Sequence, residues 1–100
     1  MREIRDIIVH CSATKPSQDF GVSDIRRWHV GQGWSDVGYH FIVKLDGTIE
    51  KGRPIPVIGA HVKGFNSNSI GVCYIGGVEE SGKPSDTRTE AQKESLDQLL

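Results

Sequence analysis

Two short apolar segments constrain the fold more than any other feature of this sequence. They span residues 4–11 and 70–75, and both are rich in β-branched residues at odd-numbered and even-numbered positions alike. A strand with one solvated face alternates apolar and polar residues, whereas a strand covered on both faces is apolar throughout. Both segments are therefore predicted to be buried strands, and the first is expected to be central in its sheet.

A hairpin and a long loop are predicted between these segments. Asp46-Gly47, with strand-like sequence on each side, is a strong signal for a tight turn between antiparallel strands. We expect these strands at about 38–44 and 48–52. Residues 52–68 contain Gly, Pro, Asn or Ser every few positions, and loops of this length are usually either functional or disordered.

Two helices complete the predicted architecture. Ser23 can cap a helix over residues 23–31 that ends at a glycine, Gly31 or Gly33. A second helix is expected over residues 89–100. The fold class is therefore α/β, a mixed twisted sheet with strands near 4–11, 38–44, 48–52 and 69–75 flanked by helices.

The second helix has a clear start signal in the sequence but no stop signal. Thr89, with Gln92 three residues later, forms a capping box at its start. Leu96, Leu99 and Leu100 follow without a Gly cap, a basic last turn or a Pro. We expect a single domain over 1–100 that is truncated inside this helix, with these leucines left without packing partners.

The composition excludes several classes of function. Twelve basic and 13 acidic residues give a formal net charge of −1, which argues against a nucleic-acid partner. Cys11 and Cys73 are far apart in the sequence and suit buried thiols in a reducing compartment. Charged residues follow Met1 directly, so we expect cytoplasmic synthesis without a signal peptide and no membrane span.

Histidines and a tyrosine are the candidates for chemistry. His10 ends an apolar strand and could be a metal ligand, but a catalytic zinc needs about three protein ligands, and one His is more often structural. Tyr39 could donate a hydrogen bond to an oxyanion or pack on the sheet, and the adjacent His40 should point the other way. His61 lies in the long loop, whereas His29 is given no role.

Six sequence blocks, taken in order, indicate a function more specifically than the spacing between possible metal ligands does. They are IVHCSAT at 8–14, DIRRWH at 24–29, GWSDVGYHF at 33–41, LDGTIEKGR at 45–53, GAH at 59–61 and NSNSIGVC at 66–73. This series resembles the amidase-type lysozymes of tailed phages, which are type 2 N-acetylmuramoyl-L-alanine amidases. That family shares its fold with the peptidoglycan recognition proteins.

The resemblance implies a function and roles for individual residues. It implies zinc-dependent hydrolysis of the amide between N-acetylmuramic acid and L-alanine in peptidoglycan, by an endolysin of phage or prophage origin that reaches the cell wall after release. His10 matches the first zinc ligand and Tyr39 the catalytic tyrosine. His61 and Asn66 match positions bordering the substrate groove. Zinc would polarise the scissile carbonyl and acidify its bound water.

The resemblance also implies that part of the site lies elsewhere. In the family, a second histidine ligand, a third ligand and a catalytic lysine follow the helix that here reaches Leu100. The 100 residues alone are therefore expected to hold zinc poorly and to lack activity. The alternatives are a fragment of a longer enzyme or a short form that has lost catalysis. A non-catalytic peptidoglycan-binding module is the main rival function, and an unrelated α/β interaction domain is a third.

Overall fold

The computed structural model describes residues 2–100 and shows a four-stranded mixed sheet with two α-helices. The elements in chain order are β1 (Asp6–Cys11), α1 (Val22–Gly31), β2 (Phe41–Val43), β3 (Ile49–Lys51), a short 3-10 helix (Asn66–Asn68), β4 (Ser69–Tyr74) and α2 (Glu90–Leu99). The predicted α/β class is confirmed. The observed strands β2 and β3 are shorter than predicted, because only the residues next to the turn form ladder pairs.

The sheet order is β1-β4-β2-β3. β4 runs parallel to both β1 and β2, whereas β2 and β3 form the predicted antiparallel hairpin. The Lys44 amide donates to the Thr48 carbonyl at 2.9 Å, and Gly47 takes a φ of +88°, which glycine adopts without strain. Asp46-Gly47 therefore does form the turn.

Within residues 2–100, β1 is not central, contrary to the prediction. β1 lies at the edge of the sheet, and within residues 2–100 it pairs with β4 alone. Ile7 and Val9 remain 38% and 41% exposed. Apolar residues of both parities show that a strand can be covered on both faces, but its place in the sheet depends on which strands pair with it. The two interior strands of the described sheet are β4 and β2.

Helix α1 begins at Val22, not at a residue capped by Ser23. Gly21 is the N-cap, and its amide donates to the Asp24 carboxylate at 2.9 Å. The Val22 amide donates to the Glu50 carboxylate at 2.9 Å, which ties the helix to β3. Two acidic side chains thus satisfy amides at the start of the helix, and Ser23 is not the N-cap residue. The helix ends at Gly31, as predicted.

Helix α2 carries the predicted capping box. The Gln92 amide donates to the Thr89 hydroxyl, and the Thr89 amide donates back to the Gln92 side chain, both at 3.0 Å. Leu96 is 4% exposed and packs with Val43 and Val72, so the expectation that it lacks partners is wrong. Leu99 also packs on this cluster, and Leu100 is exposed.

Alternation along the central strands divides the core between the two faces of the sheet. Ile42 and Cys73 pack with Ile25 of α1 on one face, and Val43 and Val72 pack with Leu96 of α2 on the other. Among residues 2–100, neither helix is long and apolar enough to cross a membrane. The sheet therefore serves as a platform whose loops and strand ends carry the polar side chains.

Candidate active site

Three rings from distant parts of the chain meet at one place on this platform. His10 comes from the end of β1, Tyr39 from the segment before β2, and His61 from the long loop. His10 Nε2 lies 3.0 Å from His61 Nδ1, and the Tyr39 ring centroid lies 5.4 Å from that of His10 and 6.3 Å from that of His61. The structure therefore brings together three of the four residues predicted for the site.

Asn66, the fourth predicted residue, holds His61 in place. Its side-chain oxygen accepts hydrogen bonds from the amides of His61 and Val62, both at 2.9 Å. The other ring nitrogen, His61 Nε2, lies 3.1 Å from the Ser69 hydroxyl. The ring also covers Gly71 so closely that a Cβ there would come within 2.6 Å of it. His61 is thus fixed by its backbone, by both nitrogens and by its ring face.

A cavity of about 330 Å³ opens beside His61. Its lining includes Trp34, Ala60, Lys63 and Asn66. An aromatic ring, a cation and hydrogen-bonding groups along one depression are suited to a ligand that combines apolar and polar groups. His61 lies between this cavity and the ring of His10.

Tyr39 is half-buried, and its ring packs on the core cluster below the sheet. Burial, together with the neighbouring thiols of Cys73 and Cys11, raises the pKa of the Tyr39 hydroxyl well above its usual value. The side chain is therefore a neutral phenol at pH 7. A neutral phenol can donate a hydrogen bond, as the predicted role requires.

His29 has a structural role that sequence reasoning missed. Its Nδ1 accepts a hydrogen bond from the Gly38 amide at 2.8 Å, and its ring packs against Trp34 and Tyr39 at centroid distances of 4.3 and 5.6 Å. It thereby fixes the backbone next to Tyr39. His29 lies in one of the six sequence blocks, but no sequence pattern predicts its hydrogen bond with Gly38.

Burial keeps the site histidines uncharged at neutral pH. It lowers the pKa of His10 and is the largest cause of a fall in the pKa of His61 to about 4. The nearby His10, His40 and Arg2 lower the pKa of His61 further. Neutral imidazoles retain a free lone pair, which is the form that binds metal ions.

His10 has the donor chemistry that zinc prefers, but the described residues do not complete a metal site. Within residues 2–100 there is no group of three or more His, Cys, Asp or Glu side chains placed to hold a metal ion. Cys73 is buried, which raises the pKa of its thiol to about 12 and keeps it protonated. A protonated thiol is a poor zinc ligand. His10 can therefore supply one ligand of a larger set.

Comparison with known proteins identifies the family. The sequence model of the N-acetylmuramoyl-L-alanine amidase family matches residues 1–100. The endolysin of Escherichia phage T7 is 59% identical over 100 residues, which cover 99% of this chain and 66% of that protein. The chain thus spans about two thirds of the length of that curated relative.

Solved structures agree with the sequence comparison. The N-acetylmuramoyl-L-alanine amidase LysC from Clostridium intestinale superposes with a TM-score of 0.84 at 31% identity, over 98% of this chain and 60% of that one. Peptidoglycan recognition protein LE, solved in complex with tracheal cytotoxin, gives a TM-score of 0.82 at 26% identity over 100% of this chain and 59% of that one. This chain belongs to the N-acetylmuramoyl-L-alanine amidase family.

Proposed function

We propose that the chain forms part of a peptidoglycan amidase that hydrolyses the amide between N-acetylmuramic acid and L-alanine. The observation that carries this proposal is the meeting of the rings of His10, Tyr39 and His61, of which His61 lines the cavity. These residues come from three different sequence blocks of an amidase family, and their convergence is what a shared reaction centre requires.

Each side chain has a task that its environment supports. His61 engages His10 at Nε2, so among the described residues Nδ1 is the nitrogen of His10 left for a metal ligand bond. Tyr39 would donate a hydrogen bond to the oxyanion that forms at the scissile carbonyl. His61 and Asn66 would border the substrate, since both line the cavity.

We further propose that the metal is zinc and that its remaining ligands lie outside these 100 residues. Support comes from the single imidazole ligand in the described part of the chain and from the relatives, which extend well beyond the matched region. The protein would act on the cell wall after release from the cell, as the phage relatives suggest.

The test uses the product of the complete gene and purified peptidoglycan. Hydrolysis of the proposed bond should release new L-alanine amino termini without new reducing sugar ends, and a chelator should abolish the release. If reducing ends appear instead, the protein is a glycosidase and the proposal is wrong.

A non-catalytic peptidoglycan-binding module is the second candidate. It is favoured by the incomplete ligand set within residues 2–100 and by the recognition protein whose solved complex contains a peptidoglycan fragment. Sedimentation with insoluble peptidoglycan separates the two functions. If the complete gene product cosediments but releases no L-alanine termini in the presence of added zinc, the binding module is correct.

A further inference from the structure

His40 is 1% exposed and contacts the loop over residues 52–68, which we call the cavity loop because His61 and Asn66 of this loop line the cavity. The Gly71 amide donates a hydrogen bond to His40 Nδ1 at 3.0 Å, and His40 Nε2 lies 2.8 Å from the Val57 carbonyl oxygen. A backbone amide can only donate and a carbonyl oxygen can only accept. The Gly71 contact therefore places the lone pair on Nδ1, so a neutral ring carries its proton on Nε2, towards the Val57 carbonyl. The Arg2 guanidinium, which also can only donate, lies 2.9 Å from Nε2 and gains no hydrogen bond from this tautomer.

This tautomer joins the loop to the sheet at two points near His61. Val57 belongs to the long loop and lies four residues before His61. Gly71 is the residue that the His61 ring covers, and its carbonyl also accepts from the His40 amide at 2.8 Å. The rings of His40 and His61 are 6.1 Å apart. His40 thus contacts both the loop that carries His61 and the residue that the His61 ring covers.

Several charged or titratable groups face His40. Arg2 of the N-terminal segment places a guanidinium nitrogen 2.9 Å from Nε2, and it donates to the Ser69 carbonyl at 2.8 Å. Arg53 and Lys51 line a second cavity, to which His40 also contributes, and the His61 ring lies 6.1 Å from that of His40. Apart from His61, which is neutral at pH 7, these groups are cations. Each would repel a charged imidazole.

We propose that His40 is a positioning residue for the cavity loop, and that its protonation in acid releases Val57 and Gly71 and so displaces His61. A second proton on the ring has to occupy Nδ1, where it meets the hydrogen of the Gly71 amide. The charged ring would also face the Arg2 guanidinium. The ring can therefore gain a proton only by leaving this place, and the loop contact is lost with it.

The burial of His40 agrees with this mechanism. Burial is the largest cause that lowers its pKa, and Arg2 and Arg53 act in the same direction, whereas the bond to Val57 raises it. Because the folded chain binds a proton less readily than the unfolded chain, the loop contact is complete above pH 6.5. It weakens as the pH falls from there towards the lowered pKa.

Nitrogen-15 NMR of the imidazole rings tests the proposal without substrate or metal. At pH 7.5 the ring of His40 should be the neutral form with its proton on Nε2. In acid the Gly71 amide should lose its protection from hydrogen exchange over the same pH range in which the His40 signal shows that the ring becomes charged. A proton on Nδ1 at pH 7.5, or a Gly71 amide that stays protected after His40 is charged, would overturn the proposal.

Two variants test whether the acid transition is caused by His40 or by another histidine. His40→Asn keeps an oxygen where Nδ1 accepts from Gly71 but cannot be charged, so it should keep the amide protected and remove the acid transition. His61→Gln, the matched control, should keep the transition. An unchanged transition in His40→Asn would refute the proposal, and if that variant does not fold, the wild-type tautomer still decides.

The functional consequence rests on the proposed function, and a separate measurement tests it. Binding to insoluble peptidoglycan should fall in acid for the wild type and persist to lower pH in His40→Asn. Because the NMR experiment contains no peptidoglycan, failure of the loop mechanism and failure of the amidase proposal give different results.

Discussion

Gly71→Ala should displace the His61 ring while leaving the backbone of β4 intact. A Cβ at this position would lie 2.6 Å from the His61 carbons Cδ2 and Cγ. Ordinary carbon contacts are about 3.5–4.0 Å, so the ring has to retreat by about 1 Å. The ring is bonded to His10 at 3.0 Å and to Ser69 at 3.1 Å, and a shift of this size breaks or weakens both bonds.

The cost follows from these contacts. Overpacking of this kind costs about 1–3 kcal/mol, and each lost hydrogen bond adds about 1 kcal/mol, partly offset because the ring can relax into the cavity. We expect a fall of about 2 kcal/mol in the free energy of unfolding, or about 8–16 °C in Tm. In the complete gene product, a 1 Å displacement at the site should lower amidase turnover by roughly a hundredfold.

Urea denaturation followed by tryptophan fluorescence measures the stability, and release of L-alanine termini measures the turnover. Gly31→Ala is the matched control, because a Cβ there meets no heavy atom within 4 Å. This variant lies at the end of α1 and should be neutral or gain up to about 1 kcal/mol. Wild-type stability and turnover in Gly71→Ala would refute the assignment of the His61 ring to this position.

Three further predictions concern the reaction, the core and the metal. Tyr39→Phe in the complete gene product should retain the fold but lower turnover by roughly a hundredfold, the usual effect of losing one oxyanion donor; near-normal turnover would leave Tyr39 as a core aromatic. Gln92→Leu should lower the free energy of unfolding, measured by urea denaturation, by about 2–4 kcal/mol, because the buried side chain donates to the Ile75 carbonyl at 2.8 Å and completes the cap of α2. Gln98→Leu, on the exposed face of the same helix, should change this free energy little. Calorimetric titration of zinc into the 100-residue chain should show weak binding, and tight one-to-one binding that His10→Ala abolishes would reveal a complete site within these residues.

The sequence predicted best those features that depend on neighbouring residues. The Asp46-Gly47 turn and the Thr89-Gln92 capping box are local, since each is satisfied within a few positions, and both are confirmed. The edge position of β1 was not predictable in the same way. It depends on which strand pairs with it, and the apolar pattern of the strand does not contain that information.

The residues of the candidate site also divide into those that the sequence predicted and those that only the structure shows. Motif resemblance selected His10, Tyr39 and His61, which the structure brings together. The residues that hold them, His29 and His40, act through backbone partners that are distant in sequence. Hydrogen bonds of this kind leave no periodic signal, and only the three-dimensional arrangement shows them.

The parallel pairing of β1 with β4 sets the order in which the chain can fold. Asp6 pairs with Ser69, so β1 is synthesised more than sixty residues before its partner β4. At about 5–20 residues per second, β1 waits roughly 3–12 s for β4, while the β2–β3 hairpin can already close. During that interval β1, which carries the apolar residues Ile7 and Val9, is without β4, and its unpaired backbone is open to incorrect pairing and to capture by chaperones.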